Sequence, residues 1–352
     1  MRRRRLRSLF VRISLHFSVA VLACSAPDAS LQDGDAPVGS GPSPAPSAAG
    51  AGGSEPSDDG PDAPGAGMSD TGTPGDGTSD EQTSGGVPGA LQSGEAVRLR
   101  FVARVADEPF ACGTAYRTSS GQDFTPVDLR LFVQDVALID AAGVEQPVSL
   151  DVRPPWQIES VALIDFEDAS AGCLAGTRER NLEVSGRVPP GDYRGIAFSN
   201  GVPEQLNHAD PSRLPPPLQA GSMSWGWLQG YRFLMAEIAG TGAVGDAAAP
   251  GSALLHVGST ACSGNPSAGG IACNKQNRNR VRLLDFDVAN DAVVVDLAAL
   301  FGDIDLASVT TCHSSGADCG PLFERIGIEL DSGAASDGQR VYRVEPAGAV
   351  QP

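Results

Sequence analysis

The sequence predicts an all-β domain, an antiparallel β-sandwich of about ten strands stapled by disulfides, behind a disordered N-terminal tether. Three observations predict it. Apolar and polar residues alternate at period two in run after run, the mark of strands with one face on a core. Pro-Gly, Gly-Asp and Asp-Gly pairs sit between many of those runs and supply turns. Helical candidates are few, and residues 296–301 are the best of them.

The first 23 residues are of a different kind. Met1-Arg-Arg-Arg-Arg-Leu-Arg7 is a positive n-region, and Ile13–Ala23 is an apolar segment too short for a stop-transfer helix. It ends in Val21-Leu-Ala-Cys24, which resembles a bacterial lipobox. Cleavage before Cys24 followed by acylation of its thiol and amino group is the expectation for residues 1–23. Several acyl chains on one residue give durable anchoring where one chain does not. The expected location is therefore the cell envelope, on the periplasmic or surface face of the outer membrane.

Residues 24–95 form the tether. From 25 to 95 there is no Lys, Arg, Phe, Tyr or Trp, and twelve residues are acidic. Gly, Pro, Ser and Ala supply most of the rest. Such a segment cannot bury enough apolar area to offset the entropy of ordering it. Its Pro content and like charges favour extension, as in a spacer.

Residues 96–350 are long enough for one sizeable core. Six of the 25 basic residues lie in the leader and twelve of the 43 acidic ones in the tether, leaving 19 basic against 31 acidic and a net charge of −12. That balance argues against a nucleic-acid partner, which needs clustered Lys and Arg. In order, the predicted strands are 96–105, 127–133 running into 136–140, 158–165, 182–188, 193–198, 231–238, 281–286, 292–297 and 322–330.

Six cysteines follow Cys24: Cys112, Cys173, Cys262, Cys273, Cys312 and Cys319. An even number in an exported chain reads as disulfides, and no C-x-x-C favours a thiolate metal site. Fifteen pairings are possible. Proximity in sequence suggests Cys262–Cys273 and Cys312–Cys319, which leaves Cys112–Cys173.

Most catalytic signatures fail on inspection. Gly240-Thr-Gly242-Ala-Val-Gly245 matches G-x-G-x-x-G, but the Pro250-Gly251 that follows stops the helix a dinucleotide site requires. Ser222-Met-Ser224-Trp-Gly226 misses the G-x-S-x-G elbow. No H-E-x-x-H is present, and nothing nominates a Ser-His-Asp triad.

Aromatic residues concentrate in Gly221–Glu237, which holds two of the three Trp in a chain that is only 5 % aromatic. Trp225 and Trp227 lie between His208 and His256, and each His sits among apolar neighbours. Two Trp spaced two apart also fit one face of a strand filling a core. Neutral imidazoles in a site with few donors suit copper in its reduced, low-coordinate form. His313, in a Ser- and Gly-rich loop between Cys312 and Cys319, reads as an exposed bystander.

The blocks Arg130–Val136, Ala162–Asp168, Gly201–His208, Trp225–Phe233 and His256–Cys262, with the Cys312 to Cys319 close, resemble the MbnP-like family of exported copper-associated proteins. The resemblance implies a β-sandwich whose partner, a dihaem cytochrome-c-peroxidase-like protein, oxidises a Trp to kynurenine. The new amine and carbonyl then help hold Cu(I) beside two His. Carried onto this chain, Trp225 and Trp227 contain the oxidation target, with Trp227 preferred, and His208 and His256 are the imidazole ligands. Some relatives place a His two residues after the modified Trp. Trp227 occupies that position here, which leaves Met223 or another donor to complete the set. The implied role is non-enzymatic copper capture or storage. The competing readings are an interaction module using the Trp pair as a ligand platform, and a copper redox enzyme.

Overall fold

The computed structural model describes residues 94–241, 251–265, 270–308 and 310–349. The leader, Cys24 and the tether as far as residue 93 lie outside them, as does the Gly242–Gly245 part of the glycine run, and the first strand already begins at Glu95. Among the described residues no helix is long and apolar enough to cross a membrane.

Two large sheets carry the domain. One runs Tyr342–Pro346, Asp291–Asp296, Glu95–Val105, Glu183–Val188, Ser149–Leu150. The other runs Arg280–Leu284, Tyr193–Asn200, Asp123–Asp140, Leu234–Gly240, Ser252–Val257, Thr310–His313, and Val161–Asp165 also pairs with the long strand Asp123–Asp140. Most pairings are antiparallel, as predicted. Each sheet nevertheless holds one parallel pair, Glu95–Val105 with Asp291–Asp296 and Ser252–Val257 with Thr310–His313. Parallel neighbours need a long connection, so no local turn signal announces them.

Alternation in the strands builds the core between the sheets. Leu99 and Phe101 from the first sheet and Leu129, Leu131 and Phe198 from the second are essentially solvent-free. Phe198 meets Phe101 and Tyr342 edge-on, with centroids 5.5 and 5.6 Å apart, and so bridges the sheets. Such pairs contribute about 0.5–1.5 kcal/mol beyond the area they bury.

The predicted helix forms at Leu297–Phe301, capped by Asp296, whose carboxylate accepts from the amides of Ala298 and Ala299. The predicted strand at 322–330 is instead the helix Cys319–Ile326. Ile326-Gly-Ile-Glu-Leu330 does alternate, but Cys319, Leu322, Phe323 and Ile326 recur at helical spacing and are the apolar residues the helix buries. Gly327, at φ 80°, ends that helix in a left-handed conformation costly for any side chain. The disulfides are Cys112–Cys173, Cys262–Cys273 and Cys312–Cys319, the pairing sequence proximity suggests. Constraining the unfolded chain over a separation of 61 residues contributes about 4 kcal/mol, and the short loops about 2–3 kcal/mol each.

Register on the large sheet positions everything that follows. His256 lies opposite His313 and Met235, Glu237 opposite Asp128, and Arg130 opposite Met235 and Asp165. Side chains alternate between faces, so these polar residues share one face. Leu129, Leu131, Leu234, Ala236 and Leu255 share the other and enter the core. A polar row thus crosses the sheet from His313 to Asp165, on the face opposite Leu129 and Leu131. Residues of the 201–232 segment lie over it: Ser222 accepts from Arg130 Nη1 at 2.8 Å, and Tyr231 is tied down by Leu218 and Asn207.

Candidate metal centre

At one end of the row three rings meet. The His256 and His313 ring centroids are 4.8 Å apart at an interplanar angle of 58°. Trp225 lies 6.3 Å from His256 and 6.4 Å from His313. It is carried by the short strand Ser224–Gly226, which folds back on Gly230–Tyr231. The indole can sit there only because residue 258 is glycine. A Cβ at Gly258 would lie 2.4 Å from the Trp225 ring and 2.6 Å from the Tyr231 carbonyl oxygen.

The hydrogen bonds fix which nitrogens are free. Glu237 Oε1 lies 2.5 Å from His256 Nε2. A carboxylate accepts, so in the neutral ring Nε2 carries the proton and Nδ1 presents its lone pair. That Nδ1 is buried and has no hydrogen-bond partner. Burial, reinforced by His256 and Arg232, pushes the His313 pKa below its ordinary value and favours its neutral, donor form. His313 makes ring contacts but no side-chain hydrogen bond among the described residues. The Arg232 guanidinium stands 5.2 Å from the Trp225 ring centre, a cation–π contact that burial makes worth more than a solvated one. Trp225, His313, Leu228, Ser259 and Cys262 line an open cavity of about 580 Å³.

The fit to copper can be judged from these donors. Two imidazoles side by side, one with an orphaned lone pair and its opposite nitrogen held by a carboxylate, match the supporting arrangement that metal-bound His requires. An unpartnered buried nitrogen otherwise costs about 1–3 kcal/mol.

His208 sits elsewhere. Its Nδ1 lies 2.8 Å from the Trp227 carbonyl oxygen, and its Nε2 3.0 Å from Asn207 Nδ2 and 3.1 Å from Cys273 Sγ. Its ring joins neither His256 nor His313. Of the predicted residues, then, the fold brings Trp225 and His256 together, sets His208 against the Cys262–Cys273 disulfide, and leaves the Trp227 side chain 50 % exposed. Met223 is wholly buried in the core. His313, which reads as a bystander in sequence, is the second imidazole. Its signal was a parallel register between strands 57 residues apart (Ala253 opposite Thr310), invisible to local spacing. Glu237 carried no signal beyond its place in an alternating strand.

The other end of the row is a cluster of ions. Arg130 bonds Asp128 through two nitrogens and lies 3.4 Å from Glu167 Oε1, and all three side chains are almost solvent-free. Desolvation pushes Asp128 up, Asp165 to about 7 and Glu167 to about 8, with Arg130 opposing the rise. Both Glu167 oxygens lack a hydrogen-bond partner.

The family model MbnP matches residues 94–314. MbnP from Methylosinus trichosporium superposes with a TM-score of 0.63 at 29 % identity, over 72 % of this chain and 99 % of that one. Among curated proteins nothing matches.

Proposed function

The chain belongs to the MbnP family, and from that premise we propose that it is an exported, lipid-tethered protein that captures or stores Cu(I) at His256 and His313 beside Trp225. The family's copper-related role supplies the ion. The observation that carries the site is the buried, unpartnered Nδ1 of His256, whose ring is backed by Glu237 and adjoins the His313 imidazole.

Trp225, not Trp227, is the proposed target of oxidation to kynurenine, because only its ring adjoins both imidazoles. Opening the indole takes up one dioxygen and one water and releases formate, leaving an aryl amine and a ketone where the ring stood. A dihaem peroxidase-like partner is the proposed agent. The cavity along Trp225 leaves the indole edge open to such chemistry. Copper, when bound, brings a one-electron redox centre, and the proposed role here is holding it rather than turning over substrate.

Titration with Cu(I) against a chromophoric chelator tests the reading. One equivalent per chain is expected, with at least a tenfold loss of affinity in His256→Ala and in His313→Ala. Intact mass of protein produced with its partner should show the oxidation in the wild type and none in Trp225→Phe. Wild-type protein that binds no Cu(I), or binding indifferent to both His changes, would sink it.

A further inference from the structure

We infer that His208, Cys262 and Cys273 form a second, redox-gated metal site, one that takes a thiophilic divalent cation such as Zn²⁺ or Cd²⁺ once a dithiol has reduced the Cys262–Cys273 disulfide. The nitrogen of His208 and the two sulfurs all lie within 4.8 Å of one another. As a disulfide the sulfurs are poor donors. As thiolates they complete a Cys₂His set of the kind that binds zinc, with a fourth position left to water.

The orientation of His208 carries the inference further than proximity does. A carbonyl oxygen only accepts, so the 2.8 Å contact with Trp227 makes Nδ1 the protonated nitrogen. Nε2 therefore presents a lone pair, and it lies 3.1 Å from Cys273 Sγ. Metal-bound His characteristically donates its other N–H to a carbonyl or carboxylate, which fixes the ring before metal arrives. Asn207 also bonds Nε2, and it is held in turn by the Tyr231 amide. Its amide would yield its place at Nε2 to the cation.

The two cysteines are directly opposed on the ribbon Thr260–Asn265 with Gly270–Lys275, which is a sheet of its own outside both large ones. Cys262 is half-buried and borders the open cavity, so a small dithiol can reach its sulfur. The other two pairs each include cysteines that are wholly buried: Cys173 in one, Cys312 and Cys319 in the other. Reduction breaks one S–S bond and leaves two thiols, while the dithiol loses two electrons and two protons and closes to its own disulfide. Binding a divalent cation then releases both thiol protons, and two thiolates balance its charge.

The test uses the exported full-length chain, treated with a dithiol under conditions in which circular dichroism shows the domain still folded, then titrated with Cd²⁺. Expected are one equivalent bound, a thiolate-to-cadmium charge-transfer band in the ultraviolet, and protection of Cys262 and Cys273 from alkylation by mass spectrometry. His208→Ala should weaken binding by at least the roughly 10-fold that loss of a supporting group alone costs. His256→Ala and His313→Ala should leave the band unchanged, which separates this site from the copper centre. A pair that resists reduction until the domain unfolds, a reduced pair that gives no charge-transfer band, or a band indifferent to His208→Ala each overturns the inference.

Discussion

The two ends of the polar row on the large sheet obey the same register but differ in exposure: Arg130, Asp128 and Glu167 are almost solvent-free, while His256 is buried beside an exposed His313. At the Arg130 end, the guanidinium bonds Asp128 through two nitrogens and stands 3.4 Å from a Glu167 oxygen. At the His313 end, one carboxylate holds one nitrogen of His256, the other nitrogen is left without a partner, and the neighbouring His313 borders an open cavity. Groups that compensate one another hold a fold together. Donors left uncompensated at the edge of a cavity are poised for a ligand.

Breaking the compensated end should produce the largest effect. Arg130→Met leaves Asp128, which it bonds through two nitrogens, buried without a counter-charge, and removing one partner of a buried pair costs about 3–5 kcal/mol. Urea denaturation at neutral pH measures it. A loss under about 1 kcal/mol would mean the carboxyls are already neutral there, and the contrast between the ends would dissolve.

The copper end should respond in affinity, not stability. Glu237→Gln keeps an acceptor for His256 Nε2 but removes the charge behind the ring. Changes in such supporting groups cost about 10–100-fold in metal affinity. Competition titration with Cu(I) reads this directly. An unchanged affinity would show that the Nδ1 lone pair needs no carboxylate behind it.

How much of this was legible in the sequence divides along the same line. Alternation in Val127-Asp128-Leu129-Arg130-Leu131 identifies a strand and says which residues share a face. It does not say what lies beside Asp128, because partner strands come from 237 and 165, chosen by core packing and not by nearby turns. The same limit hid His313, whose position depends on a parallel neighbour 57 residues away. Trp225 and His256 were readable because residue type alone nominates them. Which Trp of the pair faces the imidazoles depends on the small hairpin at 224–231 and on the missing side chain at Gly258. The exchange of strand for helix at Cys319–Ile326 has a similar cause, since an apolar stretch that short satisfies both periods until its neighbours are known.

The carboxylates near Arg130 should also give the fold a pH dependence of predictable sign. Glu167 is pushed to about 8 and Asp165 to about 7, both by desolvation. In the unfolded chain they titrate near 4.3 and 3.9, so the folded protein holds protons that the unfolded chain has released. The stability they contribute is full below those unfolded values and is lost as pH rises toward 7–8, at up to about 1.4 kcal/mol per pH unit for each group. Glu167→Gln cannot ionise, so its stability should fall less between pH 5.5 and 8, by a difference on the order of 1–3 kcal/mol. Equal slopes for the two proteins would place the proton elsewhere.

The smallest expected effect sharpens the comparison most. Trp227 and Trp225 are two residues apart and the resemblance favours Trp227, but only the Trp225 ring adjoins both imidazoles. The Trp227 side chain is half-exposed, and its contribution near the site is a backbone carbonyl that any residue supplies. Trp227→Phe should therefore leave stability within about 0.5 kcal/mol and Cu(I) affinity unchanged, as a surface change does. Trp225→Phe should lower that affinity, because it removes the ring carrying the Arg232 contact and the proposed ketone and amine. If Trp227→Phe instead weakens copper binding and Trp225→Phe does not, the indole facing His256 and His313 is packing alone. The metal would then have to be sought on the His208 side of the hairpin.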